Sequence, residues 1–240
     1  MNKFFSVAPH VALAAALATT ALVAPVAAHA GSADGKWQVK VLGTAVLPDG
    51  KIDEIKSIDT TTTLGSTLAA VTGPDTRAND NVVPTLAVEY FFSPNVSVET
   101  ICCFTGHHVE GDKGLAGAGH LVDHVLILPA TVTAKAHLPL GPIKPYVGAG
   151  PALFFVFGEK PGDTAKALGV DKVKMSNSLG VALQGGVDIA LGDKGFGLSL
   201  DAKKYFIKPT AKFYDNGTLA LETKHKLDPW VLSAGVSYRF

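Results

Sequence analysis

Four histidines crowd one stretch of the chain: His107, His108, His120 and His124. Imidazole exchanges its proton near neutral pH and is a common metal ligand, so such a group can shuttle protons or capture an ion. The spacing permits capture, but no cysteine or acidic pair reinforces a specific ligand geometry. We therefore expect solvated loop histidines, whose titration alters local charge, and no metal site. Nucleophilic chemistry has no better support. No G-x-S-x-G element occurs, and no serine lies between His107 and His124. Cys102 and Cys103 are adjacent; neighbours in a strand point to opposite faces, so a bond between them would be strained. Both read as small strand residues. The expectation is a protein without catalytic residues and without a cofactor.

A second set of reactive groups is spread along the chain: Lys40, Glu89, Glu99, Lys135, Lys144, Asp188, Asp201, Lys203 and Arg239. Each falls opposite the bulky apolar residues of an alternating segment. Unpaired in a confined interior these charges would be costly; interleaved, they form an ion-pair plug. What positions them is a run of eight two-sided segments, at about 36–47, 82–92, 95–105, 124–138, 143–157, 177–191, 195–207 and 229–240. In the sixth, Leu179, Val181, Leu183, Val187, Ile189 and Leu191 lie on one face, with mostly small or polar residues between them. That is the period of a strand. The last segment ends the same way, its apolar stripe closing on Tyr238 and Phe240.

The connections alternate in length. Short turns stand at 93–95, 139–142 and 192–195, and long stretches at 48–81, 106–123, 158–176 and 208–228. Short on one side and long on the other is the pattern of a transmembrane barrel with tight periplasmic turns. The direction of burial separates it from a soluble barrel. An eight-stranded interior is only just wide enough for side chains to fill, so it cannot take the large aromatic residues of all eight apolar faces. Turned outward, those residues meet lipid, and Gly148, Gly150, Gly180, Gly186 and Gly235 let a narrow barrel close. Residues 1–30 read as a cleaved signal peptide, with Lys3, an apolar run over 11–28 and a small-x-small site at Ala28-His29-Ala30. The barrel domain is then 31–240. The 21 basic and 21 acidic side chains balance, which gives no reason to expect nucleic acid as a partner.

Several longer strings agree with this architecture: Asn81-Val-Val-Pro84 followed by Tyr90-Phe-Phe-Ser-Pro-Asn95, "LPATVTAKAHL" at 128–138, "KPYVGAG" at 144–150, "ALQGGVDIAL" at 182–191 and "DPWV…GVSYRF" over 228–240. With these the chain resembles the OmpW family over nearly its whole mature length. The resemblance implies an all-β, eight-stranded antiparallel up-and-down barrel in the outer membrane of a Gram-negative bacterium. It also implies passage of small hydrophobic molecules, and Tyr238 with Phe240 as a signal for the barrel-assembly machinery.

Alternation places Leu42, Val46, Ile101, Ile127, Phe154, Val156 and Tyr205 inward, above the charges. An apolar lumen of this kind suits a small hydrophobic ligand, since burying apolar surface is worth about 25 cal/mol per Å². The plug blocks straight descent, which leaves a lateral exit into lipid. Pro84, Pro129 and Pro151 interrupt good strands, each removing a ladder donor, and are the candidates for that opening. The alternative is a structural or receptor barrel whose loops bind external partners without transport. Two mildly apolar loop strings, "STLAAV" at 66–71 and "AKALGV" at 165–170, fit short helices or strand extensions over the mouth, and equally plain loop packing.

Overall fold

Among the described residues, alternation of large apolar with small or polar side chains produces fourteen strands and two short helices. The computed structural model describes residues 31–32 and 34–240; the leader expected over 1–30 lies outside them. In chain order the elements are β1 (Trp37–Leu47), β2 (Lys51–Ile58), α1 (Thr63–Ala69), β3 (Pro74–Ala78), β4 (Asn81–Ser93), β5 (Val96–Cys102), β6 (Thr105–Lys113), β7 (His120–His137) and β8 (Ile143–Pro161). They continue as α2 (Asp163–Ala167), β9 (Lys172–Met175), β10 (Ser178–Ala190), β11 (Phe196–Phe206), β12 (Thr210–Asp215), β13 (Thr218–Lys226) and β14 (Trp230–Arg239).

Eight of these close a ring in the order β1-β4-β5-β7-β8-β10-β11-β14, every seam antiparallel. The seam that shuts it joins β1 to β14, from Gln38↔Arg239 to Leu47↔Trp230. Main-chain bonds between Trp37 and Phe240 extend it, at 2.9 and 2.8 Å. Gly235 explains how tightly these strands lie: a Cβ there would run into the Val41 carbonyl.

Burial fixes the orientation. Leu179 is 73% exposed and Val147 66%, whereas Lys40 is 1% and Glu89 0% exposed. Apolar outside and charged inside inverts a soluble protein and suits a hydrocarbon solvent. No helix among the described residues is long and apolar enough to cross a membrane. Around the outer surface, Trp37, Phe92 and Phe196 mark one rim, and Phe104, Phe206 and Trp230 the other.

The long connections are more ordered than loops. β6 pairs with the first half of β7 and so continues the barrel wall above β5, with β3 beside it, and β2, β13, β12 and β9 form a separate four-stranded sheet. A tight Asn216-Gly217 turn, with φ of +46° and +84°, joins β12 to β13, the backbone these two residue types favour in hairpins. Both apolar strings contribute a helix, α1 over part of the first and α2 over part of the second.

Candidate functional site

The barrel interior divides by height. At the level of β5 and β7, Lys40 Nζ lies 2.8 Å from Glu89, 3.0 Å from Glu99 and 3.2 Å from Asp188. Lys135 Nζ sits 2.9 Å from both glutamates. Lys203 Nζ joins Glu99 at 3.0 Å to Asp201 at 2.7 Å. Gln184 donates to Glu99 and Asp201, the Tyr146 hydroxyl donates to Asp201, and the Lys135 ammonium stands 3.7 Å over the Tyr146 ring. These groups arrive on inward-facing positions of β1, β4, β5, β7, β8, β10 and β11, because period-two strands bring every second side chain inward. Arg239 stands apart: its Nε donates to the Gly35 carbonyl and its guanidinium lies 3.6 Å over Phe91. Lys144 is half-buried, in register with Asp188.

Above the charges lies a packed apolar layer. Leu42 and Ile101 group with Ala87; Val46, Ile127, Phe154 and Tyr205 belong to a larger cluster, with Val156 against it. Four of these seven residues, Val46, Ile101, Phe154 and Tyr205, line a pocket of about 20 Å³ together with Cys103, Pro129 and Val231. The layer is a floor rather than an open cup.

A sizeable apolar cavity is higher, among the extensions. It holds about 410 Å³ and is lined by Leu64 and Leu68 of α1, Leu121 and Val122 of β7, Ala165 and the adjoining Leu168 beside α2, Met175, Phe213 and Leu221. None of the seven lumen residues reaches it. The only sequence signals for its walls were the two apolar loop strings, which supply Leu68, Ala165 and Leu168. At its polar edge, His225 is buried with Nε2 2.8 Å from the Thr223 hydroxyl. Burial pushes its pKa down, against the pull of the Gly50 carbonyl and Asp75. Asp75 accepts from the backbone N–H groups of Ile52 and Thr76 and lies 2.7 Å from Lys113. Although burial opposes it, these donors hold the carboxyl below its usual range.

The ladder of the barrel wall is interrupted at the level of the floor. The β5–β7 ladder ends at Ile101↔Thr131 and resumes in β6 at Thr105↔Ile127. Between them Cys103 and Phe104 belong to no strand, facing the stretch of β7 that contains Pro129. On the other side the β4–β5 ladder stops at Leu86↔Cys102, so the part of β4 carrying Pro84 is laddered to β1 alone, through Gly43↔Pro84. Pro84 and Pro151 point outward, and Pro129 inward. Pro151 is paired with Val181 on β10, while beside it the β7–β8 ladder lacks two pairs, between Thr131↔Ala152 and Ala134↔Ala149, without a change of register.

The histidines separate. His107 is buried, bonded to the Asn79 carbonyl at 2.8 Å and to the Thr105 hydroxyl at 2.9 Å, and His124 is exposed. His108 and His120 converge on Glu110, an acidic partner that sequence spacing did not single out. Tyr238 stacks on Phe240 at 5.9 Å and meets Phe196 at 4.8 Å on the outer face.

Comparison with known proteins matches this architecture. A family model for the OmpW family covers residues 33–240. The outer-membrane protein y4mB of Sinorhizobium fredii is 31% identical, over 95% of this chain and 90% of that protein. Outer membrane protein W of Vibrio cholerae is 26% identical, over 90% of this chain and 93% of that one. Among solved structures, the outer membrane protein OprG from Pseudomonas aeruginosa superposes with a TM-score of 0.73 at 24% identity, covering 88% of this chain and 98% of that one. The outer membrane protein AlkL in lipid bilayers gives 0.67 at 21% identity, covering 100% and 97%.

Proposed function

The chain belongs to the OmpW family of outer-membrane barrels, and from that premise we propose that it passes small hydrophobic molecules from the external cavity sideways into the membrane. The observation that carries this reading is the stacking of three features along one axis. An apolar cavity of about 410 Å³ stands above an apolar floor, and the wall beside that floor is unladdered at Cys103–Phe104. The volume falls in the range of small-molecule sites, about 300–1,000 Å³. A molecule that fills such a cavity gains by leaving water, and its route down meets the ion-pair cluster. Crossing that cluster would strip paired charges of their partners, whereas the gap at its upper edge opens on hydrocarbon. Passage is passive and involves no covalent chemistry.

In this scheme Val46, Ile101, Ile127, Phe154, Val156 and Tyr205, with Leu42 below them, are the floor a ligand slides across. Pro84 and Pro129 keep the two seams beside β5 unladdered, and Pro151 acts on the neighbouring seam. Residues 1–30 direct export and are removed, and Tyr238 with Phe240 is read by the assembly machinery.

The test uses the mature barrel refolded into lipid vesicles and a fluorescent polycyclic aromatic probe added outside. Transfer into the bilayer is expected to be faster with the protein than without it. Leu68→Trp, which fills the cavity, is expected to weaken probe binding at least tenfold. The Pro84→Thr/Pro129→Thr pair, which returns two ladder donors, is expected to bind as before and transfer more slowly. Equal transfer rates for all three proteins would overturn the lateral route, and normal uptake of apolar compounds by a deletion strain would overturn the function.

A further inference from the structure

On the outer side of the β6–β7 hairpin, three ligand-bearing side chains meet. His108 and Glu110 alternate along β6 and so share a face, and His120 on β7 is in register with Glu110. His108 Nε2 lies 3.4 Å and His120 Nε2 3.2 Å from Glu110 Oε1, and the three ligand atoms fall within 4.8 Å of one another. A tetrahedral zinc shell with bonds of about 2.0–2.1 Å has edges of about 3.3 Å. The two edges to Glu110 match that value, and the third, between the imidazoles, lies within 4.8 Å and would close to it as the rings turn onto an ion.

We propose that His108, Glu110 and His120 form a binding site for a divalent zinc-like ion on the external extension of the barrel, with water completing the shell. Two neighbours support the assignment. Asp123 Oδ1 stands 3.6 Å from His120 Nδ1, just beyond hydrogen-bond distance, on the side of the ring away from Glu110, where a small rotation would let a carboxylate orient a ligating imidazole. Arg77 donates to Glu110 Oε2 at 3.1 Å, which leaves Oε1 turned to the two imidazoles. The ligands are one-third to two-fifths exposed, so an external ion reaches them without any opening of the fold. Two imidazoles and one carboxylate form a mixed nitrogen–oxygen set that suits zinc above magnesium or calcium. Val109, between the two β6 ligands, lines the apolar cavity on the opposite face of the strand. A bound ion would thus clip the hairpin that walls the cavity, although the site itself stands whatever that cavity holds.

The experiment is calorimetric titration of Zn²⁺ into the mature barrel, refolded in detergent without a polyhistidine tag. One ion per chain at micromolar affinity is expected. His108→Ala/His120→Ala and the bulkier His108→Gln/His120→Gln are each expected to weaken binding at least tenfold, as is Glu110→Gln. His124→Ala, outside the site, is expected to bind as the parent does. Heat-modifiable migration on gels verifies that each variant is folded. Absence of binding by the parent, or equal affinity in the parent and both double variants, would overturn the assignment, as would loss of binding in His124→Ala. The two imidazoles would then be a metal-free hydrogen-bonded pair on Glu110.

Discussion

Glu99 is the residue on which the buried charges converge, accepting from Lys40, Lys135, Lys203 and Gln184. Removing one member of such a cluster leaves cations without a partner in a dry interior, at a cost of about 3–5 kcal/mol. Glu99→Ala is therefore expected to lower the urea midpoint of the refolded barrel sharply, and Glu99→Gln less so. A change within about 0.5 kcal/mol would mean that water reaches the cluster. A second prediction concerns His225. Its folded-state pKa lies below the unfolded value, so the native state binds fewer protons. That contribution to stability is complete above the unfolded pKa of about 6.5 and is lost as pH falls below it. Amide protection factors in β12 and β13, corrected for the intrinsic pH dependence of exchange, should fall between about pH 7 and pH 5, and His225→Gln should flatten that dependence. Inward-facing charges were legible from alternation alone, because a strand allows each residue only two directions. Glu110 was not, because its meeting with His120 depends on the register of a hairpin, which spacing along the chain does not encode.

All eight ring strands correspond to segments whose alternation could be read directly, and the short turns fall where expected. The extensions were harder to see. β2, "KIDEIKSI", carries polar residues on both faces, and β6 mixes glycine, histidine and charge. Neither has the contrast that a lipid face imposes, since both lie where each side meets water or a small local core. The mildly apolar loop strings fitted a helix, a strand extension or loop packing alike, and nothing in them marked which cavity they would roof. Where strands approach closely, one atom decides closure. A side chain at Gly235 would collide with the Val41 carbonyl and the Leu42 Cα of the opposite strand, so Gly235→Leu is expected to abolish the folded, heat-modifiable band. Ala234→Leu, one residue away on the lipid face, should leave it intact. Equal folding of the two variants would show that β1 and β14 have room to separate.

The molecule as a whole is sorted by solvent: hydrocarbon against Leu179, Val147 and their neighbours, paired charge within, and an apolar chamber above. Such a surface has no stable form in plain buffer. Dilution of the refolded protein out of detergent should give aggregation detectable by light scattering, and a persistent folded monomer would contradict the outward orientation of the apolar face. The ring also has a temporal side. Seven of its seams join strands that follow one another in the circuit of the chain, but the eighth joins Trp37 to Phe240, the two ends of the barrel. A polypeptide that has not yet reached β14 has two raw edges and no way to shut, so the ring closes only once that last strand is in place. Adjacent ends also make the starting point of the sequence arbitrary: linking them and cutting at the turn after His137 would yield a circular permutant with the same eight seams.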